Sequence, residues 1–221
     1  MTNVPLDLPR HLDLEQFISD EAHDLRSPFN QIVGFSKLLL NEMGVDYPPD
    51  LQKEDLGTIY RNAQRALLLM NSLIDIARLN RREKEISPEE IEIEAMLEQT
   101  LAYWRKLNAA SDIQTEYQIS VASSHLIVDE GMLRQILFGF IVVVSQFLDS
   151  QGQASITVAE EAGWSVFTVS SVGKKTQPFS RLDVEMQAYI SRALVELQRG
   201  EIRLAEETDD GASIQFALPM A

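Results

Sequence analysis

Residues 22–29 have the sequence Ala22-His23-Asp24-Leu25-Arg26-Ser27-Pro28-Phe29. The apolar residues in and around this stretch recur at intervals of three, four and seven positions, which predicts a helix; they are Leu14, Ile18, Leu25, Phe29, Ile32 and Leu39. A proline inside a helix costs roughly 3 kcal/mol or more. Its presence beside a histidine, two charged side chains and a hydroxyl indicates a helical turn that is arranged for chemistry.

A second and more regular apolar pattern follows. Its members alternate spacings of three and four: Leu56, Ile59, Ala63, Ala66, Met70, Leu73 and Ala77, with Tyr60, Leu67 and Ile74 widening the face. This pattern is typical of coiled-coil packing. Two such helices joined by a short segment that contains Gly44 predict an antiparallel hairpin. Because the apolar faces are too wide for one hairpin to bury, we expect dimerisation into a four-helix bundle.

Ser87-Pro88 interrupts the helical pattern and marks the predicted domain boundary. Residues 1–86 are the predicted hairpin domain, and residues 87–221 contain mixed patterns. Helices are predicted over 94–107, 130–148 and 182–197, and strands over 113–119, 154–158, 164–170, 201–205 and 213–218. The predicted fold class is therefore α+β, with a helical hairpin followed by a two-layer α/β sandwich.

Composition excludes several kinds of function. The chain has no cysteine, which excludes disulfides, thiolate metal sites and a cysteine nucleophile, and no other residues have convincing metal-ligand spacing. Its formal net charge of −15 disfavours nucleic acid and anionic membranes as partners. The longest apolar run, Ile136 to Val144, is far shorter than the ~20 residues that span a bilayer. We see no signal peptide and expect a cytoplasmic protein.

His23 is the candidate nucleophile. Its neighbours one helical turn away, Ser19, Asp20, Arg26 and Ser27, are polar or small, so the ring is predicted to lie on the exposed face. An ordinary histidine is mostly neutral at pH 7, and one ring nitrogen then has a free lone pair. Asp24 is placed to orient or deprotonate the ring. Because Pro28 has no N–H, the Asp24 carbonyl lacks its usual helical hydrogen bond, and we expect a local bend.

The stretch resembles the H-box of bacterial sensor histidine kinases, which is usually HELRTPL. The resemblance continues through Phe35 and Leu38-Leu39 and into residues 73–79 of the second helix. It implies that His23 accepts a phosphoryl group with the help of Asp24. It also implies that Ser27, where the family has threonine, serves in dephosphorylating the partner. Arg26, Phe29 and Gly34 flank the histidine, and we expect them to dock the receiver domain of a response regulator.

The second half resembles the ATP-binding domain of the same kinases. The matching segments are Val128 to Leu137, Ile190 to Leu197 with Gly200 to Ile202, and Gly211 to Pro219. The positions that the family uses for nucleotide nevertheless differ. The family's magnesium-binding asparagines are replaced by Gly139 and Val143, its DxGxG box by residues 171–175, its glycine-rich turn by residues 185–188 and its long lid by residues 172–181.

These differences predict that ATP and Mg²⁺ binding are lost, since a valine offers Mg²⁺ no oxygen ligand. We therefore expect no cofactor, and any Mg²⁺ would come from the receiver. The resemblance then implies a homodimeric histidine phosphotransferase that passes a phosphoryl group between His23 and a receiver aspartate. Two alternatives remain open: a divergent ATP-dependent sensor histidine kinase, and a non-catalytic scaffold that sequesters a response regulator.

Overall fold

A computed structural model of the protein describes residues 4–20, 22–42, 49–107, 114–120, 125–148, 152–174, 176 and 180–220. The chain forms two compact units. One is a helical hairpin, Leu12–Arg81, and the other is an α/β sandwich built from Met1–His11 and Arg82–Ala221.

In the hairpin, the part of the chain that the structure describes forms the helices α1 (Leu14–Asp20), α2 (Ala22–Glu42) and α3 (Pro49–Asn80). Asp13 caps α1, because its carboxylate accepts hydrogen bonds from the backbone N–H of Glu15 at 3.0 Å and of Gln16 at 3.1 Å. α3 begins with Pro49, at a position where the missing N–H costs nothing. Gly44 lies outside the described residues.

The apolar residues of α3 form two faces rather than one. Packing within the hairpin buries Ala66, Leu69, Ser72 and Ile76. A second row stays exposed, with spacings that alternate between four and three: Leu56, Tyr60, Ala63, Leu67, Met70 and Ile74. The predicted single stripe is thus divided between an inner face and an exposed face, which we call the outer row.

The described residues of the sandwich form eight strands. They are β1 (Val4–Pro5), β2 (Glu89–Glu92), β3 (Gln114–Ser120), β4 (His125–Val128), β5 (Gln153–Glu161), β6 (Trp164–Val172), β7 (Glu201–Thr208) and β8 (Gly211–Pro219). Six of them form a sheet in the order β1-β7-β8-β6-β5-β3, and β2 pairs with β4. The β3–β5 pair is parallel and the other pairs are antiparallel.

The helices among the described ranges of the sandwich are α4 (Ile93–Leu107), α5 (Glu130–Val144) and α6 (Arg181–Leu197). Asp129 caps α5 by accepting a hydrogen bond from the Met132 N–H at 2.8 Å. Residues 136–144 of α5 are all buried, and its Phe140 ring lies 5.5 Å from Phe216 of the sheet. The helical hairpin and the α/β sandwich confirm the predicted α+β fold class.

α5 and the 3₁₀ turn after it, Ser145–Phe147, are apolar enough to pass for a membrane span. The segment Glu130–Phe147 has a mean hydropathy of 1.3, but 67% of it is buried inside the protein. Its packing against α6 and the sheet identifies it as the core helix of the sandwich.

The predicted division at residue 86 placed the N-terminal residues in the hairpin domain, whereas the structure places the described ones in the sandwich. Val4 and Pro5 pair with Glu207 and Glu206 of β7, so the described residues before Leu12 pack with the sandwich and not with the hairpin. The reason is a backbone pairing between residues about two hundred positions apart, which no local pattern reveals.

Candidate functional site

The stretch that contains His23 lies in the first two turns of α2. Pro28 is the seventh residue of this helix, and the helix continues through it to Glu42. The Pro28 ring is buried, so packing inside the hairpin offsets part of the cost of the missing N–H. His23 and Asp24 belong to this helix, but their side chains lie outside the described residues. The exposure of the imidazole and its orientation by Asp24 therefore stay predictions.

The predicted docking residues lie on accessible parts of α2. Arg26 and Gly34 are exposed, Phe29 is 54% exposed, and Ser27 is half-buried. A methyl group added at Gly34 would meet nothing within 4 Å, so packing inside the chain does not require a glycine there. The structure adds one residue to this surface, Val33, which is 65% exposed one turn after Phe29.

Sequence reasoning missed Val33 because it fits no buried stripe. That mismatch was the only available signal, since an exposed branched apolar side chain one turn from an exposed aromatic residue is uncommon on a solvated helix face. No group of three His, Asp or Glu side chains among the described residues is arranged to hold a metal ion.

The family's nucleotide-binding positions lie at the contact between α5 and α6. A Cβ built on Gly139 of α5 would lie 2.1 Å from the Ser191 Oγ and 3.1 Å from the Gln187 Oε1 of α6. Real Cβ atoms do not approach other atoms to less than about 3 Å. A side chain at 139, such as an asparagine, would therefore clash unless Ser191 turned away or α6 moved.

The side chains at the other replaced positions are also buried or hydrogen-bonded within the sandwich. Val143 is buried in the core and offers no ligand atom. Ser171 stands where the family has the aspartate that recognises adenine, and its Oγ accepts a hydrogen bond from the Ala212 N–H at 3.2 Å. Gln187 is buried where the family has a glycine close to phosphate.

Thr176 lies in the segment that stands where the family has its lid, and it is hydrogen-bonded to residues just after the core helix. The Thr176 N–H donates to the Gln146 carbonyl at 2.6 Å, and its hydroxyl donates to the Leu148 carbonyl at 2.5 Å. These two contacts hold Thr176 against the 3₁₀ turn and the residue after it.

Comparison with known proteins identifies the hairpin. Residues 13–82 match the family model for the His Kinase A (phospho-acceptor) domain. This range begins at the cap of α1 and ends just after α3, so it covers the whole hairpin. The hairpin therefore matches the phospho-acceptor domain of histidine kinases, as its H-box indicated, and the sandwich that follows it has a fold also found in histidine kinase structures.

Two curated relatives are similar along most of the chain. It is 22% identical over 222 residues to an uncharacterized sensor-like histidine kinase, R01002, of Rhizobium meliloti. It is 23% identical over 230 residues to the circadian input-output histidine kinase CikA of Synechocystis sp.. The alignments cover 92% of this chain but only 42% and 30% of those proteins. The chain thus spans less than half the length of these relatives.

Solved structures show the same fold. The histidine kinase AdeS of Acinetobacter baumannii superposes with a TM-score of 0.68 at 14% identity, over 90% of this chain and 98% of that one. Histidine kinase ThkA, solved in complex with response regulator protein TrrA, gives 0.64 at 17% identity over 94% and 62%. A structure described as a bacterial phosphotransferase gives 0.53 at 13% identity, over 95% of this chain and 100% of that one.

Proposed function

We propose that this chain is a histidine phosphotransferase of a two-component phosphorelay. His23 attacks the phosphorus of an aspartyl phosphate on a receiver domain. The N–P bond forms as the P–O bond breaks, and the receiver carboxylate leaves. In the reverse step the carboxylate of a second receiver attacks phosphohistidine. The phosphoryl group is conserved throughout, so neither step consumes a nucleotide.

The close approach of Gly139 to Ser191 is the observation that carries the proposal. A kinase needs a nucleotide pocket between these elements, whereas a phosphotransferase needs only the fold that presents the histidine. Val143, Ser171 and Gln187 support the same choice, because each is buried in packing where the family has a nucleotide contact. ThkA was solved with a response regulator, and a phosphotransferase has this fold over its whole length. The first likeness supports a receiver as partner, and the second supports phosphotransfer.

The residues around His23 would have separate roles in phosphoryl transfer. Asp24 would hold the ring nitrogen that does not react as N–H, which leaves the other nitrogen's lone pair for attack. The Ser27 hydroxyl, one turn further along, is suited to orienting a water or the phosphoryl oxygens. Arg26, Phe29, Val33 and Gly34 form an exposed surface for the receiver, and the aromatic ring is the expected anchor. Any Mg²⁺ that the reaction needs would come from the receiver.

The outer row of α3 supports a homodimer. Tyr60 is 60% exposed and Leu67 is 53% exposed, although both follow the coiled-coil spacing. Six consecutive positions of such a row are costly to leave in water, since burying a large apolar side chain gives about 1.5–3 kcal/mol. A second copy that presents the same row would bury both and form the four-helix bundle.

Transfer of labelled phosphate tests the proposal. Receivers carrying ³²P on aspartate are mixed with the chain, and we expect an alkali-stable, acid-labile label on His23. The His23→Ala variant should lose more than 99% of the label. The His11→Ala variant is the matched control and should retain it, because His11 is a histidine outside the hairpin. Absence of label on the unaltered chain with all receivers of the source genome would overturn the proposal.

A parallel incubation with γ-labelled ATP and Mg²⁺ separates the alternatives. We expect no label from ATP, and a label on His23 from ATP would establish the divergent kinase instead. A chain that binds a receiver tightly but takes no label from either donor would be a scaffold. The His23→Ala variant would then bind and sequester the receiver as well as the unaltered chain does.

A further inference from the structure

The six-stranded sheet has a long strand at one of its edges. β3 (Gln114–Ser120) is the last strand in the order β1-β7-β8-β6-β5-β3, so among the described residues it pairs with β5 on one side only. Its register with β5 continues through all of its 7 residues without a bulge. β1, at the opposite edge, has 2 residues. β3 is therefore the longer of the two edges.

One hydrogen bond fixes the direction of the backbone groups of β3. The Gln114 N–H donates to the Gly152 carbonyl, just before β5, at 3.2 Å. In a strand the N–H and C=O of one residue point to the same side, and those of the next residue point to the opposite side. Every second residue from Gln114 therefore points to β5. The N–H and C=O groups of the others point away from it, and we call them the outward pairs: Thr115, Tyr117 and Ile119.

β3 lacks the features that commonly prevent pairing at a sheet edge. Proteins protect such edges with proline, lysine, bulges or very short strands. The sequence of β3, QTEYQIS, contains neither proline nor lysine. An extended polypeptide that added a strand there would give each outward pair a hydrogen-bond partner.

Carboxylates lie on both faces of this edge. The Glu116 side chain is exposed in the middle of β3, and the Tyr117 side chain points to the other face, where its hydroxyl donates to the Glu94 carboxylate of α4 at 3.2 Å. Desolvation of the phenol, and then the nearby Glu94 and Glu98 carboxylates, raise the pKa of Tyr117, so Glu98 also lies close to the strand. Arg105 opposes this shift, but it is outnumbered by the three carboxylates. The edge is therefore acidic on both faces.

We propose that the β3 edge binds an extended, basic segment of a partner protein as an additional strand. The backbone of that segment would pair with the outward pairs, and its lysine or arginine side chains would lie beside the three carboxylates. A second copy of this chain is disfavoured as the occupant, because it would bring the same carboxylates to the contact. This inference concerns the sandwich alone and does not depend on phosphotransfer.

Hydrogen exchange of the free chain tests whether the edge is open. We expect the amides of Thr115, Tyr117 and Ile119 to exchange at least about tenfold faster than those of Glu116 and Gln118, as measured by two-dimensional NMR. Equal protection of the two sets would overturn the proposal, because the outward pairs would then already have partners.

A synthetic peptide tests the binding itself. The probe is a capped peptide of about nine residues that alternates lysine and valine, and it is titrated into the full chain up to about 1 mM. We expect saturable binding that slows the exchange of the outward amides at least about fivefold. The matched peptide with glutamate in place of lysine should bind at least about tenfold more weakly. Absence of binding by the lysine peptide, or equal binding of the two peptides, would overturn the proposal.

Two pairs of variants locate the bound peptide. Tyr117→Pro removes the central outward N–H, and Tyr117→Val removes the same ring but retains the N–H, so the proline variant should bind at least about fivefold more weakly than the valine variant. Glu116→Lys should weaken binding of the lysine peptide at least about fivefold. Asp209→Lys, at an exposed position in the turn after β7, changes the net charge equally and should not weaken it. Equal effects within either pair would overturn the proposal, and the charge pair decides it if Tyr117→Pro does not fold.

Discussion

Gly139 of α5 faces Ser191 of α6 so closely that a Cβ built on the glycine would lie 2.1 Å from the serine Oγ. The two helices therefore touch through backbone and hydroxyl, with no room for another side chain. The contact involves a position where the family has asparagine, and it makes the first two predictions quantitative.

Restoring the family's asparagine at position 139 should destabilise the protein. Gly139→Asn forces α6 outward, and overpacking of a core costs about 1–3 kcal/mol. Urea unfolding followed by circular dichroism measures this loss. Gly34→Ala is the control, because that helical glycine has open space around it and should gain up to about 1 kcal/mol. An unchanged midpoint for Gly139→Asn would mean that the helices do not meet there.

Removing the Ser191 hydroxyl should stabilise the protein. The Ser191 Oγ is buried and has no hydrogen-bond partner in the part of the chain that the structure describes. Because a buried unsatisfied group costs about 1–3 kcal/mol, Ser191→Ala should raise the free energy of unfolding by about 1 kcal/mol. Ser145→Ala should lower it instead, since the Ser145 hydroxyl donates to the Ile141 carbonyl at 2.5 Å. A loss of stability in Ser191→Ala would contradict the absence of a partner.

The cap of α6 should contribute measurably to the stability of the sandwich. The Ser180 Oγ accepts from the Asp183 N–H at 3.2 Å, and the Asp183 carboxylate accepts from the Ser180 N–H at 3.2 Å. Ser180→Ala breaks this capping box and should cost about 0.5–2 kcal/mol in thermal or urea unfolding. Ser180→Thr retains the oxygen and should therefore retain most of the stability that Ser180→Ala loses. Equal losses for the two variants would assign the effect to volume rather than to the cap.

Charges in the outer row of α3 should dissociate the proposed dimer. We expect the double variant Leu67→Lys and Ile74→Lys to sediment as a monomer at concentrations where the unaltered chain is a dimer, because each interface would then bury like charges. Ile127→Lys, an equally exposed position in the sandwich, should leave the dimer intact. Dissociation by both changes, or by neither, would place the interface elsewhere.

Truncating the exposed aromatic residue on α2 should weaken binding of the receiver. Phe29→Ala should raise the Kd for a cognate receiver about tenfold, which corresponds to about 1.4 kcal/mol. Its urea midpoint should stay unchanged, because more than half of the side chain is already in water. Calorimetric titration with the purified receiver measures the affinity. Tyr103→Ala, at a similarly exposed aromatic residue of α4, is the matched control and should bind normally.

Strong local patterns predicted most of the fold. α5 was evident because nearly every residue is apolar, and β6 because branched and aromatic residues cluster between turns. β2 escaped prediction because Ile91 is the one buried residue in an acidic run, and its partner β4 is equally short. The two faces of α3 could not be separated from sequence, since apolar residues occur around most of that helix.

The site was predictable only in part. The spacing of His23, Arg26, Ser27 and Pro28 located the H-box, because those residue types are rarely found together in a helix. The contact between Gly139 and Ser191 was invisible, because it depends on how two helices fifty residues apart approach each other. Sequence predicted that the nucleotide ligands are replaced, and the structure gives the contacts that the described residues at those positions make.

The placement of Pro5 in the first strand has a consequence for solubility. A sheet edge with free N–H and C=O groups invites strands from other molecules, and such growth begins many aggregates. Val4–Pro5 covers the edge of β7 with a strand of two residues, and proline offers no N–H to a further neighbour. The end of β7 at Glu206 and Glu207 is therefore a blunt border, and it offers molecules crowded together in a cell less of a template along which to polymerise.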